Sequence, residues 1–163
     1  MTLQEINYME QQQFVETLGW IFENSPWVAE RSWKSRPFQS KEALHSALVH
    51  CVDVASTSEQ LALIGAHPDL GAKAAMSDAS VGEQAGAGLN QLSAAEFETL
   101  HRLNSAYKNK FNFPFIYAVK GATKREILQA LEKRLSNDKD SEWSTALRQI
   151  VRIAWFRLSE EIQ

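Results

Sequence analysis

The first candidate for chemistry is a histidine at a point where a helix is forced to stop. His67 ends the apolar helical run EQLALIGAH, and Pro68 disfavours helical backbone in the residue before it. The ring therefore lies at a helix C-terminus, where the helix dipole stabilises a protonated imidazole. Because histidine titrates near neutral pH, His67 is a candidate for proton transfer. The structural alternative is that it caps carbonyl groups left unpaired at the helix end.

A second ionisable group lies in the stretch SDASVGEQAGAG. Ser80 and Glu83 have the spacing of a capping box, which predicts a helix start where Glu83 holds a backbone N–H. The stretch contains three glycines, at positions 82, 86 and 88, although each glycine lowers the stability of a helix by about 1 kcal/mol relative to alanine. Glycine is favoured where a ligand or another helix approaches the backbone. The first-turn N–H groups and the amide of Gln84 would suit a ligand that carries a carboxylate or urea group.

A third stretch, FNFPFIYAVKG, is aromatic and β-branched and is typical of extended backbone near 113–120. The sequence contains no second run of this kind to pair with it. Its backbone N–H and C=O groups must therefore be satisfied elsewhere. Water or a loop could do this, and so could a polar ligand with amide edges.

Helical spacing with start and stop signals predicts the elements that position these groups. About seven helices are expected, so we predict an all-α, single-domain bundle over residues 1–163 with one short extended segment. One predicted face comprises Phe14, Leu18, Ile21 and Phe22 on a helix ending near Asn24, and another comprises Ile127, Leu128, Leu131 and Leu135. The predicted starts are Ser25 with Pro26, Ser40, Ser58, the capping boxes at Ser93 and Thr123, and a start near Ser141.

Composition and motifs exclude several classes of function. The formal net charge of −3, with basic and acidic residues interspersed, argues against a nucleic-acid-binding surface. No apolar stretch approaches the roughly 20 residues that span a bilayer, and the N-terminus lacks the features of a secretory signal. The single cysteine, Cys51, is expected to be a buried inert thiol, which is compatible with a cytoplasmic protein. His45 and His50 lack zinc-site spacing, and no nucleotide motif is present, so no metal or cofactor is expected.

Five stretches taken together resemble the 2-oxo-4-hydroxy-4-carboxy-5-ureidoimidazoline (OHCU) decarboxylase family. They are GAHPDLGAK, SVGEQAGAGL, LNSAYKNKFNFPFIYAVKG, ILQALEKRL and ALRQIVRIAWFRL. The HPDL, SxxEQ and FPFI blocks appear in the family's order and spacing, and the resemblance covers essentially the whole chain. It implies an all-helical fold that assembles as a homodimer and works without a cofactor.

The resemblance also implies site residues by position. His67 matches the catalytic histidine, Glu83 the second ionisable catalytic group, and Pro68 a substrate contact. Arg157, in WFRL, is expected to orient Glu83 or a ligand group. The remaining expected substrate contacts are Ser80, Val81, Gly82, Gln84, Phe115, Ile116, Tyr117, Ala118 and Val119. The tail SEEIQ is less apolar than in commoner members, which affects the packing of the last turn rather than the chemistry.

The reaction implied is decarboxylation of OHCU to (S)-allantoin. The carboxylate leaves a carbon that bears a hydroxyl and adjoins a C=N unit, so the substrate provides its own electron sink. His67 and Glu83 would then supply acid–base catalysis, and proton delivery from one side would set the S configuration. Two other classes stay open on the residues alone: a helical ligand-binding or adaptor module, and another cofactor-free acid–base enzyme acting on ureides.

Overall fold

The computed structural model describes residues 1–72 and 76–163, and within them it contains helices and no β-strand. The predicted all-α fold class is therefore confirmed. Lys73, the last residue of the GAHPDLGAK stretch, lies outside the described residues. None of the described helices is both long and apolar enough to cross a membrane. The α-helices are α1 (Leu3–Tyr8), α2 (Gln11–Leu18), α3 (Trp27–Ser32), α4 (Lys41–Asp53), α5 (Thr57–Gly65), α6 (Asp78–Gly86), α7 (Ala94–Phe111), α8 (Lys124–Arg134) and α9 (Lys139–Glu161), with 3₁₀ turns at Gly19–Ile21 and Trp33–Ser35.

The described residues form two compact units. Unit 1 comprises Met1–Ala66 and Val151–Gln163, and unit 2 comprises His67–Ile150. Helix α9 therefore contributes its first half to unit 2 and its second half to unit 1. All predicted site residues except Arg157 belong to unit 2.

Unit 1 buries the apolar face predicted near its N-terminus, although with a different backbone. Phe14 and Leu18 are fully buried on α2, but α2 ends at Leu18, and the buried Ile21 belongs to the 3₁₀ turn that follows. Asn24 then adopts a left-handed conformation with φ 46°, which is incompatible with continued helix. The predicted continuous helix to Asn24 is therefore wrong, because the backbone leaves the α-helix after Leu18. The prediction of which side chains are buried is confirmed.

Unit 2 is built around aromatic side chains at the end of α7. The ring centroid of Tyr107 lies 4.5 Å from that of Phe111 and 5.4 Å from that of Phe115. Asn112 ends α7 in the left-handed conformation, with φ 61°, and so turns the chain into the segment that follows. Residues 113–119 belong to no helix or strand, so the segment predicted to be extended is non-helical and is not part of a sheet.

The helix starts show which local signals decide a boundary. Ser40, Ser93 and Thr123 are N-caps as predicted, and the last two complete their capping boxes. The other four predicted starts are displaced. The N-cap position is Pro26 rather than Ser25 in α3, Ser56 rather than Ser58 in α5 and Ser77 rather than Ser80 in α6, and α9 begins at Lys139 rather than near Ser141. In α5 the displacement follows from chemistry, because only Ser56 has a glutamate three residues ahead.

Candidate functional site

His67 lies on a turn that is fixed at its centre. It is the second residue after the end of α5, as its proline neighbour predicts, and it is buried. The carbonyl oxygen of Leu70 accepts a hydrogen bond of 3.0 Å from Asn104 Nδ2 on α7. Gly71 has φ 71°, and a Cβ there would lie 2.5 Å from Leu100 Cδ2. Only glycine allows the turn to approach α7 this closely.

The same turn is bonded to the helix that carries Glu83. The Gly71 N–H donates to Gln84 Oε1 at 2.8 Å, and the Gln84 side chain is nearly fully buried. Gln84 therefore holds the turn that begins at His67, and its predicted contact with substrate stays a prediction. The hydrogen bond brings together, within unit 2, the turn at residues 67–71 (the HPDLG turn) and the residue next to Glu83.

The capping-box interpretation of Glu83 is wrong. Helix α6 begins at Asp78, and Ser77 Oγ accepts a hydrogen bond of 3.2 Å from the Ser80 N–H. Glu83 consequently lies in the second turn, half-buried, where it caps no helix start. The N–H of Val81 donates to the Ser77 carbonyl oxygen, so the expected first-turn donors at positions 80 and 81 are already used.

Helix α7 holds two parts of the candidate site from neighbouring turns. Asn104 bonds the His67 turn, and Lys108 Nζ forms an ion pair of 3.2 Å with Asp69 Oδ2 in the same turn. Tyr107, three residues after Asn104 and so on the same face, donates to Glu142 Oε1 at 2.5 Å. Through Glu142 this face also supports the segment at 115–119.

Two backbone groups of the irregular segment at 115–119 are hydrogen-bonded to side chains. The carbonyl oxygen of Ile116 accepts from Arg134 Nη1 at 2.7 Å. The N–H of Ala118 donates to Gln149 Oε1 at 2.9 Å. Neither water nor a ligand is needed at these two groups, because the protein itself satisfies them.

Glu142 is the centre of a buried polar cluster. Its Oε1 accepts from Tyr107 and from Arg134 Nε at 2.7 Å, and its Oε2 accepts from Asn137 Nδ2 at 3.0 Å. Burial, followed by the hydrogen bond to Glu142, raises the pKa of Tyr107 far above its usual range. Tyr107 therefore stays a neutral donor to a carboxylate that also neutralises the Arg134 guanidinium.

Arg157 lies in unit 1, and its contacts there are with the protein. Its Nη2 donates to Glu23 Oε2 at 2.8 Å, and its Nη1 donates to the carbonyl oxygen of Trp20 at 3.2 Å. Both side chains of the ion pair are buried, with exposed fractions of 3% for Arg157 and 0% for Glu23. This pairing accounts for the buried charge, and the expected contact with substrate or Glu83 stays a prediction.

A cavity of about 510 Å³ lies between the HPDLG turn and α7. Its lining includes Asp69, Leu70, His101, Asn104 and Lys108, and none of the predicted catalytic or substrate-binding residues. We therefore do not place the chemistry in this cavity. Among the described residues, no three His, Cys, Asp or Glu side chains are grouped so that they could hold a metal ion.

Several polar residues that shape this region were not predicted from the sequence. Arg134 could have been found, because it follows Ile127 and Leu131 on the apolar stripe of α8. It is buried there, whereas the predicted core residue Leu135 is only half-buried. Asn104 and Gln149 carry no comparable signal, because each amide bonds a backbone group far away in sequence.

Comparison with known proteins links this arrangement to one family over nearly its whole length. The model of a family described as OHCU decarboxylase matches residues 7–159. A 2-oxo-4-hydroxy-4-carboxy-5-ureidoimidazoline decarboxylase of Haloferax volcanii is 46% identical over 160 residues, covering 98% of this chain and 95% of the relative. A uric acid degradation bifunctional protein of Bacillus subtilis is 48% identical over 161 residues, which cover 99% of this chain and 33% of that protein.

Two solved structures share the fold. One, described as (S)-allantoin synthase, has a TM-score of 0.81 and 32% identity and covers all of this chain, which spans only 54% of that longer chain. The other, described as OHCU decarboxylase in the presence of (S)-allantoin, has a TM-score of 0.72 and 27% identity, covering 93% of this chain and 97% of the other. The similarity therefore includes both compact units, and all the predicted site residues lie within the matched residues 7–159.

Proposed function

This chain belongs to the OHCU decarboxylase family, and from that premise we propose that it is a carboxy-lyase converting OHCU to (S)-allantoin and CO₂ in urate degradation. The observation that carries the proposal is the family match over residues 7–159, together with 46% identity to a decarboxylase of almost the same length. The buried His67 lies on a turn that is bonded to the neighbour of Glu83, and this supports an acid–base role for the two residues.

The chemistry can proceed on the substrate's own electron sink. When the C–CO₂ bond breaks, its electron pair moves toward the adjoining C=N unit, whose nitrogen takes a proton. CO₂ leaves, and the hydroxyl-bearing carbon becomes part of an enol. Protonation of the neighbouring ring carbon and loss of the enol proton then give the ring carbonyl and the stereocentre of allantoin. One proton is taken up overall, which replaces the carboxylate.

We assign these proton transfers to His67 and Glu83. Acid–base catalysis by positioned side chains typically contributes about 10²–10⁴-fold to a rate. Delivery of the carbon-bound proton from one side would set the S configuration. The proposed substrate contacts remain those implied by the resemblance: Pro68, Ser80, Val81, Gly82, Gln84, residues 115–119 and Arg157.

The test is a stereochemical assay on freshly generated OHCU, in which circular dichroism follows the appearance of optically active allantoin. We expect rapid formation of (S)-allantoin by the wild type and a loss of about 10²–10⁴-fold for His67→Ala, with unchanged helical content. His101→Ala, at an exposed histidine of α7, is the matched control and should keep full activity.

Three results would contradict these assignments. Wild-type rates of (S)-allantoin formation by His67→Ala would remove His67 from the mechanism. Slow, racemic product from the wild-type protein would indicate a binding module rather than an enzyme. Release of ammonia or urea instead of CO₂ would indicate a different reaction on ureides.

We further propose that the protein works as a homodimer in the cytoplasm, as a single domain over 1–163 and without a cofactor, nucleic acid or membrane as partner. The family match crosses both compact units, which supports one functional domain. The dimer rests on the family resemblance. Light scattering coupled to size-exclusion chromatography should give twice the chain mass of 18.4 kDa. A monomer mass would contradict the dimer.

A further inference from the structure

Two side chains hold the 115–119 segment in the way that a neighbouring strand would. In a parallel sheet, one residue of the adjacent strand donates to the C=O of residue i and accepts from the N–H of residue i+2. Here Arg134 Nη1 donates to the C=O of Ile116, and Gln149 Oε1 accepts from the N–H of Ala118. The two side chains therefore replace a strand along one edge of the segment.

The opposite edge follows from the geometry of extended backbone. The rings of Phe115 and Tyr117 stack with centroids 6.0 Å apart and an interplanar angle of 14°. Side chains at i and i+2 share a face in this way when the chain is extended. Alternate residues of such a chain direct their N–H and C=O groups to opposite edges. Because Ile116 and Ala118 face the two side chains, the N–H and C=O of Tyr117 face the other way.

The Arg134 side chain is itself held in place, and Gln149 extends from the same helix as the partner of Arg134. The Arg134 guanidinium is bonded to Glu142 and lies over the Phe115 ring, 4.4 Å from its centroid. This fixes the direction in which Nη1 donates. Gln149 lies seven residues after Glu142 on α9, about two helical turns later and so on the same face. One face of α9 thus supports the segment at both ends.

We propose that Arg134 and Gln149 are positioning residues that present the main-chain N–H and C=O of Tyr117 to the substrate. This inference rests on the proposed function. OHCU carries a ureido group and a ring amide, each of which places a donor beside an acceptor. An edge that offers one N–H and one C=O from the same residue can bind such a group through two hydrogen bonds at once. The segment would thereby fix the orientation of the substrate relative to His67 and Glu83.

The test uses Gln149, because it is half-buried and its replacement leaves the Arg134–Glu142 pair intact. Gln149→Leu removes the acceptor at similar size, and Gln149→Glu restores an acceptor oxygen at the same position. For Gln149→Leu we expect kcat/KM to fall roughly three- to tenfold, the effect of one net hydrogen bond, and the enantiomeric excess of (S)-allantoin to fall with it. Gln149→Glu should recover both quantities.

Gln12→Leu, the same change at an exposed glutamine of α2, is the matched control and should behave as wild type. Wild-type kcat/KM and enantiomeric excess in Gln149→Leu would overturn the inference, even if the melting temperature fell, because a structural role alone predicts only that fall. So would failure of Gln149→Glu to recover them. A wild-type protein that makes no (S)-allantoin would instead refute the proposed function, so the two failures are distinguishable.

Discussion

Each compact unit contains a buried arginine–glutamate pair, and the two pairs are surrounded differently. In unit 1, Arg157 binds Glu23 with an N–O distance of 2.8 Å. In unit 2, Arg134 binds Glu142 with an N–O distance of 2.7 Å. Each arginine also donates to a carbonyl oxygen of an irregular segment, the 3₁₀ turn region in unit 1 and the 115–119 segment in unit 2.

In unit 2 the carboxylate joins several elements. Glu142 also accepts from Tyr107 and Asn137, so that residues of α7, the α8–α9 connection and α9 meet at one group. A buried ion pair is weak evidence for stability, because its desolvation offsets much of the attraction between the charges. We infer that both pairs fix the position of backbone that lies outside the α-helices. In unit 2 this backbone belongs to the proposed site.

The largest effect is expected for Glu142→Gln. It removes the charge that neutralises Arg134 and replaces one acceptor oxygen with a donor in a cluster that already contains three donors. Breaking a buried pair typically costs about 3–5 kcal/mol, and we expect the upper end here. Urea unfolding monitored by tryptophan fluorescence should measure this loss, and kcat/KM should fall because Ile116 is no longer held.

Asp140→Asn is the control for that change, because Asp140 is an exposed acid on the same first turn of α9. It should leave stability and kinetics at wild-type values. A Glu142→Gln protein with wild-type free energy of unfolding would show that the cluster contributes no net stabilisation.

A smaller effect is expected for Glu23→Gln in unit 1. The carbonyl oxygens of Trp20 and Ile21 still accept from Arg157, so the loss of stability should be about 3 kcal/mol, the lower end for a broken pair. If Arg157 contacts the substrate as proposed, KM should also rise, because its guanidinium loses the partner that orients it. Glu16→Gln, at an exposed position of α2, is the control. An unchanged KM would leave Arg157 with a structural role only.

The sequence predicts the local features of this molecule but not the contacts of the two buried pairs. The helical fold class, the capping boxes at Ser93 and Thr123, and the non-helical segment near 113–120 follow from local patterns, because their causes lie within a few residues. The described residues contain nine α-helices rather than about seven, and the short helix α1 is one that the sequence did not predict. The network around Glu142 does not follow from local patterns, because its donors lie up to 35 residues away in sequence. The start of α6 cannot be predicted from local sequence, because Ser77 and Ser80 both suit an N-cap and only the fold decides between them.

Unit 2 also contains two helical glycines that no described neighbour requires. A Cβ at Gly82 or Gly86 of α6 would meet nothing within 4 Å. Gly→Ala inside a helix stabilises by about 1 kcal/mol, so both substitutions should raise the free energy of unfolding by up to that amount. We expect Gly86→Ala to keep wild-type kcat/KM and Gly82→Ala to lose activity, because Gly82 adjoins Glu83 in the proposed site. Equal activity in the two variants would indicate that Gly82 does not contact the substrate.

The smallest effect concerns two half-buried glutamates in matching capping boxes, Glu59 in unit 1 and Glu96 in unit 2. The hydrogen bond from Arg31, and then that from the Ser56 backbone, lowers the pKa of Glu59 to about 2. The Ser93 backbone, and then Lys124, lowers the pKa of Glu96 to about 2. Both values are depressed from 4.5. The stabilisation is therefore complete above pH 4.5 and is lost as the pH falls toward 2.

Glutamine at either position keeps the capping box and removes only the charge. Glu59→Gln and Glu96→Gln should therefore melt slightly below the wild type at neutral pH, and the difference should vanish as the pH approaches 2. Added salt should reduce it more for Glu59, whose largest contribution is an exposed ion pair, than for Glu96, whose largest contribution is a backbone hydrogen bond. Melting curves against pH at low and high salt measure both effects. Equal salt sensitivity of the two variants would contradict this, because it would mean that the ion pair with Arg31 stabilises unit 1 no more than the ion pair with Lys124 stabilises unit 2.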